Sequence, residues 1–173
     1  MGKLLRLFSV VFLLALSNTA VATGTLSDDQ RIVSKALGYT LQYRTYVPEG
    51  VQSQESLSVL YITDGQWYIS QGELPTLLDK EIENGTIDPV IVVFVDSRNP
   101  DNLGENRRNR QFFCNQDYVD FFTRELIPEI DLKYPTNTNR EGRTILGLSF
   151  GGRNSACFGL MATDSFAGIA IQS

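Results

Sequence analysis

A serine framed by glycines, Gly147-Leu148-Ser149-Phe150-Gly151, lies between a strand-like run, Arg143 to Leu146, and a helix-like run, Gly152 to Ala162. This G-x-S-x-G order in a strand–turn–helix context is the pattern of a nucleophile elbow, where a sharp turn lifts a serine hydroxyl clear of the backbone. Gly152 extends it to G-x-S-x-G-G. A serine hydroxyl attacks a carbonyl carbon only when a base takes its proton, and in this geometry the base is almost always histidine. The chain contains no histidine. It therefore carries a nucleophile for acyl transfer without the group that would activate it. Two readings follow. The chain is a piece of a larger catalytic unit, or it is a binding protein that keeps the shape and has lost the chemistry.

The elbow places Ser149 at a helix N-terminus, where free N–H groups and the helix dipole favour an oxyanion. The amide of Phe150 is the first expected donor. A second donor is expected from the loop after the apolar run Ser58 to Thr63, which reads Asp64-Gly65-Gln66-Trp67. Gly65 permits a sharp turn that aims the Gln66 amide at the same point. Without the elbow, this tetrapeptide would read as an ordinary β-turn. Trp67 is the only tryptophan, and either walls a substrate pocket or packs in the core. Arg107, Arg108 and Arg110 form a basic cluster in a polar loop. One of them, Arg108 foremost, could hold an anionic or phenolate-bearing substrate. The plainer alternative is a solvated loop making surface ion pairs.

The elements that must position these residues are legible from patterning. Arg31 to Val47 alternates in β fashion, with a turn at Leu37-Gly38-Tyr39, and predicts a hairpin or two edge strands. Pro75 to Glu83 predicts a helix that stops at Asn84-Gly85. Val90 to Val95 is continuously apolar and β-branched, as in a strand buried on both faces. Asp96 to Gln111 predicts a long polar loop. Asp117 to Tyr134 predicts a helix with Val119, Phe122, Leu126 and Ile130 on one stripe and a kink at Pro128. Strands alternating with helices predict an α/β sandwich with a largely parallel sheet, whose sites lie at the carboxyl ends of the strands.

Composition narrows the partners. The formal net charge is −5, so nothing favours nucleic acid or an anionic membrane. No cluster of Cys or His suggests a metal, and no cofactor is expected. Residues 1–22 read as a cleavable signal peptide: Lys3 and Arg6, an apolar run from Leu7 to Leu16, and Ala20-Val21-Ala22 before the cut. The mature chain is then secreted or periplasmic, with no stable membrane span. Residues 23–33 read as a flexible segment, and residues 34–173 as the N-terminal part of a catalytic domain. Cys114 and Cys157 could pair in an exported protein. Cys157 also suits a buried helix as a small apolar filler, and free thiols are the favoured reading. The final run Phe166 to Ser173 looks like a loop entering an interior strand, and implies that further strands and helices follow it.

Together these stretches resemble the Putative esterase family of α/β-hydrolases. That family includes enterochelin (siderophore trilactone) esterases and is related to S-formylglutathione hydrolases and mycolyl transferases. The matching pieces are Tyr43 to Pro48, Leu60 to Trp67, Cys114 to Tyr118, Glu125 to Pro128, Gly147 to Gly152, and the terminal Gln172-Ser173. The resemblance implies a three-layer α/β-hydrolase sandwich, incomplete here, acting on small-molecule esters. It implies that Ser149 is the nucleophile and that the amides of Phe150 and Gln66 form the oxyanion hole. The family's triad acid and histidine lie downstream of the segment matching Gln172-Ser173. Siderophore esterases tend to carry Arg-x-x-Glu before the Cys-Asn segment. Here those positions are Arg108 and Gln111, and this departure counts against siderophore specificity.

Overall fold

The structure, a computed structural model, describes residues 23–51 and 55–173. The expected signal peptide lies outside the described residues.

The chain builds one main sheet, flanked by helices on both faces. β1 (Thr25–Leu26) and β2 (Gln30–Val33) both pair antiparallel with β3 (Thr40–Val47). Gln30–Val33 and Thr40–Val47 form the expected hairpin. Residues 25–26, read as flexible, are also laid into a strand. A strand at a sheet edge needs only backbone partners, and in β2 Ile32 adds a buried anchor. The hairpin between β2 and β3 turns through Gly38 at φ 73°, a left-handed value that glycine adopts without strain.

β4 (Ser58–Thr63) leads into α1 (Gly65–Ser70) and α2 (Leu74–Glu83), and then β5 (Val90–Asp96). The Gly65-Gln66-Trp67 stretch is thus the start of a short helix, and not a β-turn. In α2, Leu74, Leu78 and Ile82 recur every four residues, so they share one face. That face packs on Ile62, Val92 and Phe94 of the sheet. Asp96 to Gln111, read as loop, contains the small hairpin β6 (Arg98–Asn99) and β7 (Asn102–Asn106), followed by α3 (Arg108–Gln111).

The long helix expected over 117–134 is present in three parts: α4 (Gln116–Asp120), a π-helical stretch over Phe121–Leu126, and α5 (Ile127–Lys133). Pro128 sits in the first turn of α5. Its missing N–H would leave a gap in a continuous α-ladder. The chain absorbs this with a wider turn, in which the N–H of Ile127 donates to the carbonyl of Phe122, five residues back. Asn115 caps α4 by accepting from the Asp117 amide at 2.8 Å.

β8 (Arg143–Leu148), α6 (Phe150–Met161) and β9 (Gly168–Gln172) complete the described chain. The strand order is β1-β3-β5-β4-β8-β9, with β2 also on β3. β4, β5, β8 and β9 run parallel, and β3 runs antiparallel to β5. This is the expected three-layer α/β arrangement. α1 and α2 cover one face. α4, the π turn, α5 and α6 cover the other, over a core of Tyr61, Tyr118, Phe122, Phe158 and Phe166. These rings meet edge to face, as at Phe122–Phe158 (5.0 Å) and Tyr61–Phe166 (5.7 Å). Burying each contributes about 2–3 kcal/mol, so this block anchors the layer that carries α6.

Candidate functional site

The parallel register sets the site. β4 and β8 are neighbours, with Ile62 opposite Leu146. Their carboxyl ends therefore release two strand-to-helix turns side by side: Thr63-Asp64-Gly65 into α1, and Gly147-Leu148-Ser149 into α6.

Ser149 caps α6 with φ 54° and ψ −111°. A non-glycine residue rarely adopts such a backbone, and holding it costs on the order of 1–3 kcal/mol. The surrounding glycines explain how the turn holds. A Cβ on Gly147 would run into the backbone carbonyl of Gly151. A Cβ on Gly151 would lie 3.0 Å from Thr63 Oγ1 and 3.5 Å from Asp64 Oδ2. A Cβ on Gly152 would crowd the Gly147 and Gln172 carbonyls at 3.0 and 3.1 Å. The Ser149 amide donates to the Gln172 carbonyl at 2.7 Å, which ties the elbow to β9. Ser149 is exposed and lines an open depression with Phe150, Arg153 and Ser173.

The two expected oxyanion donors both fall in first turns of helices. Phe150 is the first residue of α6 and Gln66 the second of α1. First-turn amides have no intrahelical acceptor, so both are available in principle. Gly65 is the hinge that lets α1 start against β5: a Cβ there would sit 2.5 Å from Phe94 Cα.

A buried polar network lies behind the α1 turn. Asp64, in left-handed backbone at φ 58°, ψ 34°, caps α1 without a side-chain cap bond. Its carboxylate turns inward instead. Oδ1 accepts from Ser97 Oγ at 2.7 Å, and Oδ2 pairs with Arg108 Nη2 at 2.9 Å. Burial raises the Asp64 pKa, while the Ser97 hydrogen bond and Arg108 pull it back. The Gln66 side chain is also buried and bonds Ser97 Oγ at 3.1 Å. With its amide turned over, it can accept from Trp67 Nε1 at 3.1 Å as well.

Arg108 is thus partly spoken for. Its guanidinium sits 5.5 Å from the Phe112 ring centroid and 5.3 Å from that of Phe150. Trp67 is about two-fifths exposed, at 39 %, and faces the Arg98 guanidinium at 5.8 Å. Neither Trp67 nor Arg108 is among the residues lining the depression at Ser149. The structure brings Ser149 and Phe150 together, sets the Gln66 turn beside them, and keeps Trp67 apart. A second cavity, between α1 and the β3–β5 strands, is lined by Gln66, Arg44, Asp96 and Arg98 among others.

Sequence reasoning missed the disulfide. Cys114 and Cys157 are bonded, not free. They are 43 residues apart, and only the packing of α6 against the loop before α4 brings them together. Phe113, beside Cys114, sets its exposed ring 4.5 Å from that of Phe150, tilted by 57°. The loop before α4 therefore forms an aromatic rim next to the elbow. Two bulky neighbours, Phe112 and Phe113, beside a cysteine were the available signal.

The fold and the elbow together define an α/β-hydrolase-type protein. Residues 34–173 match the family described as Putative esterase, and the chain belongs to that family. Among curated relatives it is 26 % identical over 160 residues to the uncharacterized protein YjcH of Bacillus subtilis, a match covering 89 % of this chain and 63 % of that protein. It is 23 % identical over 118 residues to the iron(III) enterobactin esterase of Yersinia enterocolitica, covering 68 % of this chain and 32 % of that one. The chain thus spans less than two thirds of the length of either relative. In solved structures it resembles a ferulic acid esterase (TM-score 0.69, 23 % identity, 84 % of this chain and 56 % of that one). It also resembles the enterobactin esterase of Shigella flexneri (TM-score 0.73, 18 % identity, 83 % of this chain and 36 % of that one). At these identities the structural likeness speaks for the fold.

Proposed function

We propose that this chain supplies the nucleophile and the oxyanion wall of an exported serine ester hydrolase, with the triad acid and histidine supplied by polypeptide outside this sequence. The observation that carries the reading is the backbone of Ser149. A serine held at φ 54°, ψ −111°, exposed, at the head of α6 is strain with a use. The curated enterobactin esterase and the neighbouring esterase folds support ester hydrolysis as the reaction class. The Cys114–Cys157 bond supports an oxidising compartment, in line with the signal-like residues 1–22.

In this mechanism Ser149 Oγ attacks the carbonyl carbon of a small-molecule ester as the base takes its proton. The carbonyl oxygen gains charge and is met by the N–H groups of Phe150 and Gln66. The alcohol leaves with a proton, and water then releases the acid from the acyl-serine. Each preorganised donor contributes about 3–4 kcal/mol to such a transition state. The rival reading, a non-catalytic binding protein on an esterase scaffold, rests on the lack of histidine.

The deciding experiment uses the longest polypeptide encoded by the reading frame. It should hydrolyse short p-nitrophenyl esters, and Ser149→Ala should lower kcat by about 10³-fold or more. A fluorophosphonate should label Ser149, as located by mass spectrometry. Turnover indifferent to Ser149→Ala would end the proposal and favour the binding-protein reading. Residues 23–173 alone should keep only the acceleration due to binding and oxyanion donors, about 10³–10⁴-fold over water.

A further inference from the structure

Arg153 is not used by the mechanism above, yet it stands in the site. It follows Ser149 by four residues on α6, and its amide donates to the Ser149 carbonyl at 3.1 Å. That bond sets Arg153 one helical turn below Ser149. Arg153 is exposed, and it lines the same open depression as Ser149 and Phe150.

Six of the ten described arginines pair with carboxylates, and Arg44, Arg110, Arg140 and Arg153 do not. Among the described residues, no carboxylate lies within ion-pair distance of Arg153. The first turn of α6 holds no acidic residue. Asp64, beside the elbow, is buried and already paired with Arg108. A chain of net charge −5 repels anions in general. Of these four arginines, Arg153 is the one that lines the depression at Ser149. A solvated helix face would account for its exposure, but would not place it on the wall of the site.

We infer that Arg153 is a specificity-determining residue that selects esters carrying a negative charge, a carboxylate or phenolate, within about one helical turn of the attacked carbonyl. This inference rests on the ester-hydrolase reading of the Ser149 site. A guanidinium recognises such groups through paired N–H donors, and does so better than an ammonium. The charge sits in the part of the substrate that stays bound beside α6 while Ser149 Oγ attacks. Arg153 takes no part in proton transfer.

The test compares esters matched in shape and differing in charge. For charge in the alcohol half, 4-acetoxybenzoate is set against methyl 4-acetoxybenzoate. For charge in the acyl half, monomethyl glutarate is set against dimethyl glutarate. In the full-length protein, kcat/KM should favour the charged member of at least one pair. That preference should fall about tenfold in Arg153→Gln, be restored in part by Arg153→Lys, and reverse in Arg153→Glu. It should also shrink as ionic strength rises towards about 1 M, where the screening length drops to about 3 Å. The remote surface variant Arg124→Gln should keep the full preference. A parent enzyme with no charge preference in either pair would overturn the inference, as would Arg153 variants that lower both members equally.

A binding measurement keeps the question open to decision without turnover. Calorimetry should show 4-hydroxybenzoate binding more tightly than methyl 4-hydroxybenzoate, with the difference lost in Arg153→Gln. Equal affinities would overturn the inference whether or not esters are hydrolysed. A retained anion preference without any Ser149-dependent turnover would instead sink the hydrolase reading and leave Arg153 as an anion-selecting residue.

Discussion

Two neighbouring turns of this molecule solve the same geometric problem in opposite ways. Each follows a parallel strand, each starts a helix, and each is capped by a non-glycine residue at positive φ, Asp64 at 58° and Ser149 at 54°. Neither cap uses its side chain to satisfy its own helix. Asp64 turns inward and is locked by Ser97 and Arg108. Ser149 faces the open depression. The strain at Asp64 is thus offset by buried polar contacts, whereas at Ser149 it is offset by the packing of Gly147, Gly151 and Gly152. A single segment, residues 108 to 114, braces both turns. Arg108 reaches Asp64, and Cys114 is bonded to Cys157 on the helix that Ser149 caps. One turn is held ionically and the other covalently.

The covalent brace should have the larger effect. The cross-link closes a separation of 43 residues, which in the chain-entropy account stabilises by about 4 kcal/mol. The double variant Cys114→Ser/Cys157→Ser should lower unfolding free energy by about that amount in guanidinium melts. Hydrogen exchange should rise at the amides of residues 150–153 more than at 65–67. Equal loosening of both turns would break the division between a covalent and an ionic brace.

Next in size is the glycine packing. Gly151→Val should cost about 3 kcal/mol and most of the activity, since its side chain must enter the space held by Thr63 Oγ1 and Asp64 Oδ2. A variant that melts like the parent and stays active would mean that the elbow is not tight, and the nucleophile assignment would fall with it.

The sheet and the elbow were legible in the sequence because each has a local cause. Val90 to Val95 is apolar throughout since both faces are covered, and Gly147 and Gly152 sit where backbone meets backbone, with Gly151 against Thr63 and Asp64. What the sequence concealed is non-local. The bond between Cys114 and Cys157 depends on how α6 packs, and no spacing rule yields it. The pairing of Arg108 with Asp64 joins residues from separate loops, so its buried partner could not be read from the sequence even though an ion pair was the plainer reading. The two-residue strand at 25–26 owes its order to the backbone of β3. The π turn at Phe121–Leu126 was visible only as a proline in a helical pattern.

The ionic brace comes third. Removing one partner of a fully buried pair costs about 3–5 kcal/mol. The Arg108 side chain is 29 % exposed, so solvent screening reduces the expected loss in Arg108→Met to about 2 kcal/mol. The pH dependence gives a sharper reading. Because the Asp64 pKa is raised in the folded state, the folded protein holds this proton to higher pH than the unfolded chain. Its contribution to stability therefore falls as pH rises above about 4, and levels off beyond the raised value. Arg108→Met removes a cation that pulls the pKa down, so the fall should continue to higher pH. Asp64→Asn should abolish it. Urea melts across the acid range would show this, and a slope unchanged in Asp64→Asn would mean that Asp64 is not the group responsible.

The smallest effect discriminates best between the two turns, because its sign should differ. Glycine adopts positive φ without the steric penalty of a Cβ. Ser149→Gly should relieve the elbow and stabilise the fold by about 1 kcal/mol, since Ser149 faces the open depression and its side chain makes no buried contact that would be lost. Asp64→Gly relieves a similar strain. It also removes the carboxylate bound to Ser97 and leaves Arg108 without its partner, so it should destabilise by about 1–2 kcal/mol on balance. Thermal melts of the two variants, measured side by side above the Asp64 titration, provide the comparison. Opposite signs would establish that one turn holds its strain for reaction and the other for support. Two stabilised variants would show that the Asp64 network contributes little, and two destabilised ones that the Ser149 side chain is itself a structural contact.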